Sequence, residues 1–162
     1  VITENHSRLD QTEKVLMQPS SSIDKKSPES NAVRLLIWSA SKEIIESNFW
    51  AGVGTGDAKD ALFSKYKEKQ LEGALEKKLN AHNQFIQTFI AIGIFGFLTL
   101  AFCFFVPLVV SIKNKQYMYL AFILLVAFNF MVEAMLETQA GVIFYAFFNS
   151  LFFMNRKSIS IN

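Results

Sequence analysis

The chain has 162 residues, enough for one domain, and its formal net charge of +2 hides a sharp division. Val1 to His82 carries twelve of the sixteen Lys/Arg and twelve of the fourteen Asp/Glu, and the rest is a Phe-, Leu-, Ile- and Val-rich background. No basic block supports nucleic-acid binding; the lone Cys103 excludes an internal disulfide, and no Cys/His spacing suggests zinc.

Val1 to Ser27 is polar and without apolar period, and reads as loop or weakly ordered helix. No charged-then-apolar targeting segment opens the chain. A membrane protein that begins in a polar loop is expected to be the C-terminal piece of something longer. Ser27-Pro28-Glu29 forms a helix start: a capping hydroxyl, a proline suited to the first helical position and an acid at the positive end. The helix should run to about Asn48, with Val33, Leu36, Ile37, Ala40 and Ile44 on one apolar face. Arg34, Trp38 and Ser41 lie beside that face. Arg34 is either a solvated, snorkelling arginine or an anion-binding one at the edge of a site.

Phe49-Trp50-Ala51-Gly52-Val53-Gly54-Thr55-Gly56-Asp57 has glycines at alternate positions but not the spacing of a phosphate loop, so it reads as a turn between helices. Phe49 and Trp50 suit a membrane surface. Asp57 to about Gln70 reads as a second polar helix, and Leu71 to Leu79 as a charged connector.

Asn80 is placed to cap the next helix, which puts His82 in its first turn. Phe85 to Ile112 carries no charge. As one helix it is ~42 Å long against a hydrocarbon core of ~30 Å, so it must tilt or raise its first turns above the hydrocarbon. Pro107 is expected to kink the far end, and Gly93 and Gly96 offer a small surface for helix packing. Lys113-Asn114-Lys115 is a basic turn, Tyr117 to Leu136 a second spanning segment, and Ala140 to Met154 a third, short one ending in Asn155-Arg156-Lys157. The positive-inside rule puts the basic clusters in the cytoplasm and residues 1–82, Glu133 and Glu137 on the opposite side. The fold class is therefore all-α: a polytopic membrane protein fragment, with a helical extracytoplasmic loop region (1–82) followed by two to three transmembrane helices in 83–162, at about 84–112, 117–136 and 140–154.

Asn129, Glu133 and Glu137 stand at i, i+4 and i+8, which lines them along one helix face. Acids at membrane depth face a protein interior or a wet cavity, or reach water from a helix end. They converge on the side that holds His82, the best candidate for a general base, since histidine changes charge near neutral pH. No Ser/His/Asp arrangement, metal-ligand cluster or nucleotide loop is present.

Four stretches in order, Arg34-x-x-x-Trp38, Phe49 to Gly56, Asn80-Ala81-His82-Asn83 and Gly93-Ile94-x-Gly96, resemble the O-antigen ligase and polymerase superfamily. The tail from Phe130 to Gly141 resembles the last helices of Bacteroidetes-type members. The resemblance implies a multi-pass glycosyltransferase of the bacterial inner membrane, with residues 1–82 periplasmic. Such an enzyme moves a glycan from undecaprenyl diphosphate to the lipid A core, or to another lipid-linked glycan in a polymerase, with no metal or nucleotide cofactor. It also implies roles: Arg34 would neutralise the donor diphosphate, and His82 would orient or deprotonate the acceptor hydroxyl. Beside them, Asn80, Asn83, Glu133 and Glu137 are the candidate polar residues of the pocket. A non-enzymatic transporter end-piece or anchoring module is the competing reading, with Arg34 and His82 apart and Glu133 lining a path between helices.

Overall fold

A computed structural model describes residues 31–155 of the chain. The proposed helix start at Ser27 and the basic pair Arg156-Lys157 lie outside the described residues. Helices make up the fold, and the described residues include no strand. In chain order they are α1 (Asn31–Ser47), α2 (Ala58–Glu68), α3 (Glu72–Glu76), α4 (Gln84–Lys113), α5 (Tyr117–Val132) and α6 (Gln139–Met154). A single 3-10 turn, Met135–Glu137, joins the last two.

The polar half has a core of its own. Val33, Ile37, Ala40 and Ile44 of α1 are buried against Ala58, Leu62 and Tyr66 of α2, Leu71 and Ala74, which is the face expected from helical spacing. Ser41 is also fully buried and returns its hydroxyl to Ile37 O at 2.8 Å, satisfying itself within the helix. Glu43 on α1 pairs with Lys65 on α2 and with Lys69, the residue that follows α2. The hydrogen bond from Lys69 holds the Glu43 carboxyl below the usual carboxylate range, with Lys65 adding to it and desolvation opposing. Tyr66 donates to Leu79 O at 3.2 Å, and burial raises its phenol above the usual range.

The apolar half departs from the single rod expected over Phe85–Ile112. Gln84–Lys113 is long and apolar enough to cross a membrane, but its backbone leaves helical dihedrals at Gly93 (φ 68°, ψ −157°), not at Pro107. The two segments fold back on each other. The Phe85 ring lies 6.4 Å from Phe97 and 6.0 Å from Phe104, whereas a straight helix would separate residues 85 and 104 by about 28 Å. After the break, Ile94–Lys113 supplies about 20 residues, or roughly 30 Å of helix, the thickness of a hydrocarbon core.

The Phe49–Gly54 turn fills the break. In an unbroken helix Ile94 N–H would bond Ile90 O. Here Ile94 N–H goes to Phe49 O (2.9 Å), Val53 N–H takes Ile90 O (2.8 Å) and Gly54 N–H takes Ala91 O (2.9 Å). Gly52 and Gly93, both at φ 68°, sit backbone to backbone. A Cβ on Gly93 would lie 2.4 Å from Trp50 O, so glycine is required both for the dihedral and for the approach. Gly96 also serves close packing, since a Cβ there would meet Ile92 at 2.5 Å and lie 3.4 Å from Thr88 on the other segment.

The segment Gln84–Ile92 is thus the keystone. Ile90 belongs to the core of the polar half, while Phe85 packs against the core of the second half around Phe104 and Phe130. Helix α5 stops at Val132, four residues short of the expected Leu136, and α6 runs from Gln139 to Met154 at 16 residues. Both are shorter apolar helices, and their outward faces expose Leu125, Phe128, Phe147 and Leu151.

Candidate functional site

The loop Leu79–Asn83 is tied down residue by residue. Leu79 O accepts from Tyr66, and Ala81 O accepts from Trp38 Nε1 at 2.9 Å. Asn80 Oδ1 accepts His82 N–H at 2.9 Å, an Asx turn that places His82 in the left-handed region at φ 45°. That conformation costs on the order of 1 kcal/mol for a residue with a Cβ, so the surrounding bonds must enforce it. Asn83, not Asn80, caps α4: its Oδ1 accepts Ile86 N–H at 3.1 Å and its Nδ2 donates to Met131 O at 3.1 Å. His82 therefore precedes the helix rather than occupying its first turn.

The two acids reach this loop, but not from a helix face. Because α5 ends at Val132, Glu133 lies in extended backbone (φ −146°, ψ 146°) and Glu137 in the 3-10 turn. The expected i, i+4, i+8 stripe with Asn129 does not form. Extension turns the Glu133 carboxylate towards the loop. Oε2 lies 3.2 Å from His82 Nδ1, and Oε1 accepts Ala134 N–H at 3.2 Å. A carboxylate only accepts, so Nδ1 is the donor in this contact, and in the neutral ring that leaves Nε2 as the acceptor. The His82 side chain is 22% exposed and that of Glu133 49% exposed, so the pair sits at the protein surface.

Glu137 is placed differently. Oε2 accepts Asn80 Nδ2 at 2.9 Å and Oε1 accepts Gln87 Nε2 at 2.6 Å. Sequence reasoning missed Gln84 and Gln87, which are buried at 4% and 3% exposure. Gln87 Oε1 accepts Ala81 N–H at 3.2 Å, and Gln84 Oε1 accepts Leu136 N–H at 2.7 Å. Their signal is weak: two amides one turn apart at the start of an uncharged run fit inward bonds, but they fit an ordinary first helical turn as well.

Arg34 is exposed on α1, one turn before Trp38. Trp38 fixes that side of α1 against Ala81, so Arg34 stands about 6 Å further along the helix from the residue that touches the loop. A groove of about 720 Å³ opens between the two segments of α4 and the 3-10 turn. Gln84, Gln87, Glu137 and Lys59 give it polar lining, and Phe95 and Leu100 apolar lining. His82 and Glu133 do not line it; Gln87 and Glu137, which do, are the residues that hold the loop. Among the described residues no group of three His, Cys, Asp or Glu side chains could hold a metal ion.

A family model described as O-antigen ligase matches residues 4–101, more than half of the chain. The match takes in Arg34, His82 and the Gly93 break and ends before Glu133 and Glu137. No curated protein and no solved structure matches the chain. The chain belongs to the O-antigen ligase family, and thus at family level to the ligase- or polymerase-like membrane glycosyltransferases of the bacterial inner membrane.

Proposed function

We propose that this chain carries the acceptor-activating part of an O-antigen ligase, which transfers a glycan from undecaprenyl diphosphate to the lipid A core. The observation that carries the reading is the contact of His82 Nδ1 with Glu133 Oε2 at 3.2 Å. A sugar hydroxyl is a poor nucleophile until a base takes or orients its proton. His82 Nε2 is the base, and Glu133 is a positioning residue that fixes the tautomer and stabilises the imidazolium as the proton arrives. Arg34 neutralises the diphosphate as the glycosyl bond to it breaks, a role its planar fork suits. The mechanism is metal-independent in this proposal.

The chain is multi-pass in this reading, with α4 after Gly93, α5 and α6 in the membrane and residues 1–82 periplasmic. The basic turn Lys113–Lys115 lies on the cytoplasmic side. Exposed Phe49, Trp50 and Phe95, clustered at the Gly93 level, supply an aromatic rim at the outer surface. The amphipathic groove beside the loop is suited to a lipid-linked donor, with polar groups near Glu137 and apolar walls near Leu100.

The test is to make Arg34→Ala and His82→Ala in the full-length protein and to run the host's surface polysaccharide on a gel. Loss of polymer from lipid A while lipid-linked polymer accumulates supports the ligase. Single repeats still attached to lipid A point to a polymerase. Unchanged polysaccharide at normal protein levels contradicts both and returns the chain to the transport or anchoring reading.

A further inference from the structure

Four hydrogen bonds form a closed path around the peptide that precedes His82. Ala81 N–H donates to Gln87 Oε1, and Gln87 Nε2 donates to Glu137 Oε1. Asn80 Nδ2 donates to Glu137 Oε2, and His82 N–H donates to Asn80 Oδ1. Each group fits its place. An amide offers one acceptor and one donor face, and a carboxylate offers two acceptors. Gln87 is 3% exposed, so a missing partner would leave a buried polar group unsatisfied. The path fixes the N–H groups of two successive residues, which sets the peptide between them. That peptide leads into the left-handed backbone of His82.

We infer that Gln87 and Glu137 are positioning residues for His82: a clamp, acting through Ala81 and Asn80, that aims the imidazole at Glu133. Neither side chain hydrogen-bonds the ring, whose partner is Glu133. The inference rests on the reading of His82 as the acceptor base. It also assigns the groove wall formed by Gln87 and Glu137 to the same clamp, so the groove and the base share a boundary.

The complementarity supplies its own test. Gln87→Glu alone sets two carboxylates against each other. Glu137→Gln alone leaves one carbonyl oxygen to serve two donors. In the exchange Q87E/E137Q the carboxylate at position 87 accepts from Ala81 and from the amide at position 137, whose oxygen accepts from Asn80. All four bonds return with the charge moved across the pair. The full-length protein in native membranes is assayed for transfer to lipid A at matched protein level. In parallel, the rate of modification of His82 by diethyl pyrocarbonate is followed against pH by mass spectrometry, which reads the imidazole's surroundings without any substrate.

Each single variant is expected to lose at least about tenfold in transfer, the scale on which small misplacements of a reacting group act, and to shift the modification profile of His82. The exchange is expected to restore both. Wild-type transfer and profile in the single variants overturn the clamp. So does an exchange variant that accumulates normally yet stays inactive, because the carboxylate at 137 is then needed for itself. If a single variant fails to accumulate, the exchange variant alone decides. If His82→Ala leaves transfer intact, the reading of the reaction falls, while the modification profile still judges the clamp.

Discussion

Gly52 and Gly93 touch backbone to backbone, 41 positions apart in the chain: a Cβ on Gly52 would lie 2.6 Å from Gly93 N and from Ala91 O. This contact locks the turn after α1 into the break in α4 and makes one unit of the polar and apolar halves. Both residues hold φ 68°, so alanine is penalised twice, by dihedral strain and by collision. Gly52→Ala and Gly93→Ala should each lose roughly 2–4 kcal/mol of stability. Gly56, which has ordinary dihedrals and nothing within 4 Å of an added Cβ, should tolerate alanine. Thermal unfolding of the three variants in detergent, with equal loss for all three, would contradict this.

Trp38 ties α1 to the loop through Nε1 and Ala81 O. Trp38→Phe keeps an aromatic ring and removes the donor. It should cost about 1 kcal/mol, with a larger relative loss of polysaccharide transfer than of protein level. Transfer that falls only in proportion to protein level would mean that the bond holds the fold and not the site.

Glu43 predicts the acid behaviour of the polar half. Its carboxyl is held below the usual range by the Lys69 hydrogen bond, so the folded state binds this proton less readily than the unfolded chain. The stabilisation is complete above the usual carboxylate range and is lost as pH falls through it towards the lower folded value. Lys65, raised chiefly by its hydrogen bond with Glu68, has the opposite sign: its contribution holds below the usual lysine range and fades as pH rises past the raised value. Limited proteolysis should show α1 loosening from α2 at the acid end, and Glu43→Gln should flatten that limb. Because the pair is exposed to water, the effect should shrink in high salt.

Helical spacing made the polar half legible: the apolar face of α1 and the polar helix that follows it stand where their residue patterns put them. The apolar half was legible as composition but not as shape. A glycine inside an uncharged run reads as a packing surface, and the signal that it is a break lies in another glycine 41 positions earlier. The loop was misread by one local choice. Asn80 and Asn83 are both able to cap α4, and Asn80 is withdrawn from that role by Glu137 and His82 N–H, which sequence spacing does not show. Glu133 and Glu137 reach the His82 loop, but not by the helix face that their spacing suggests, since the helix stops at Val132. Gln84 and Gln87 are not legible from the sequence, because isolated amides at the start of an apolar stretch resemble ordinary first-turn residues.

The coupling of His82 to Glu133 is the centre of the account, and a double-mutant cycle on transfer activity tests it most directly. His82→Ala, Glu133→Ala and the double variant are compared in the full-length protein at matched levels. If Glu133 acts only through the imidazole, each single variant loses most of the activity and the double variant is no worse than His82→Ala alone. Losses that multiply would show that Glu133 and His82 act independently and would contradict the assignment of one base and its positioning acid.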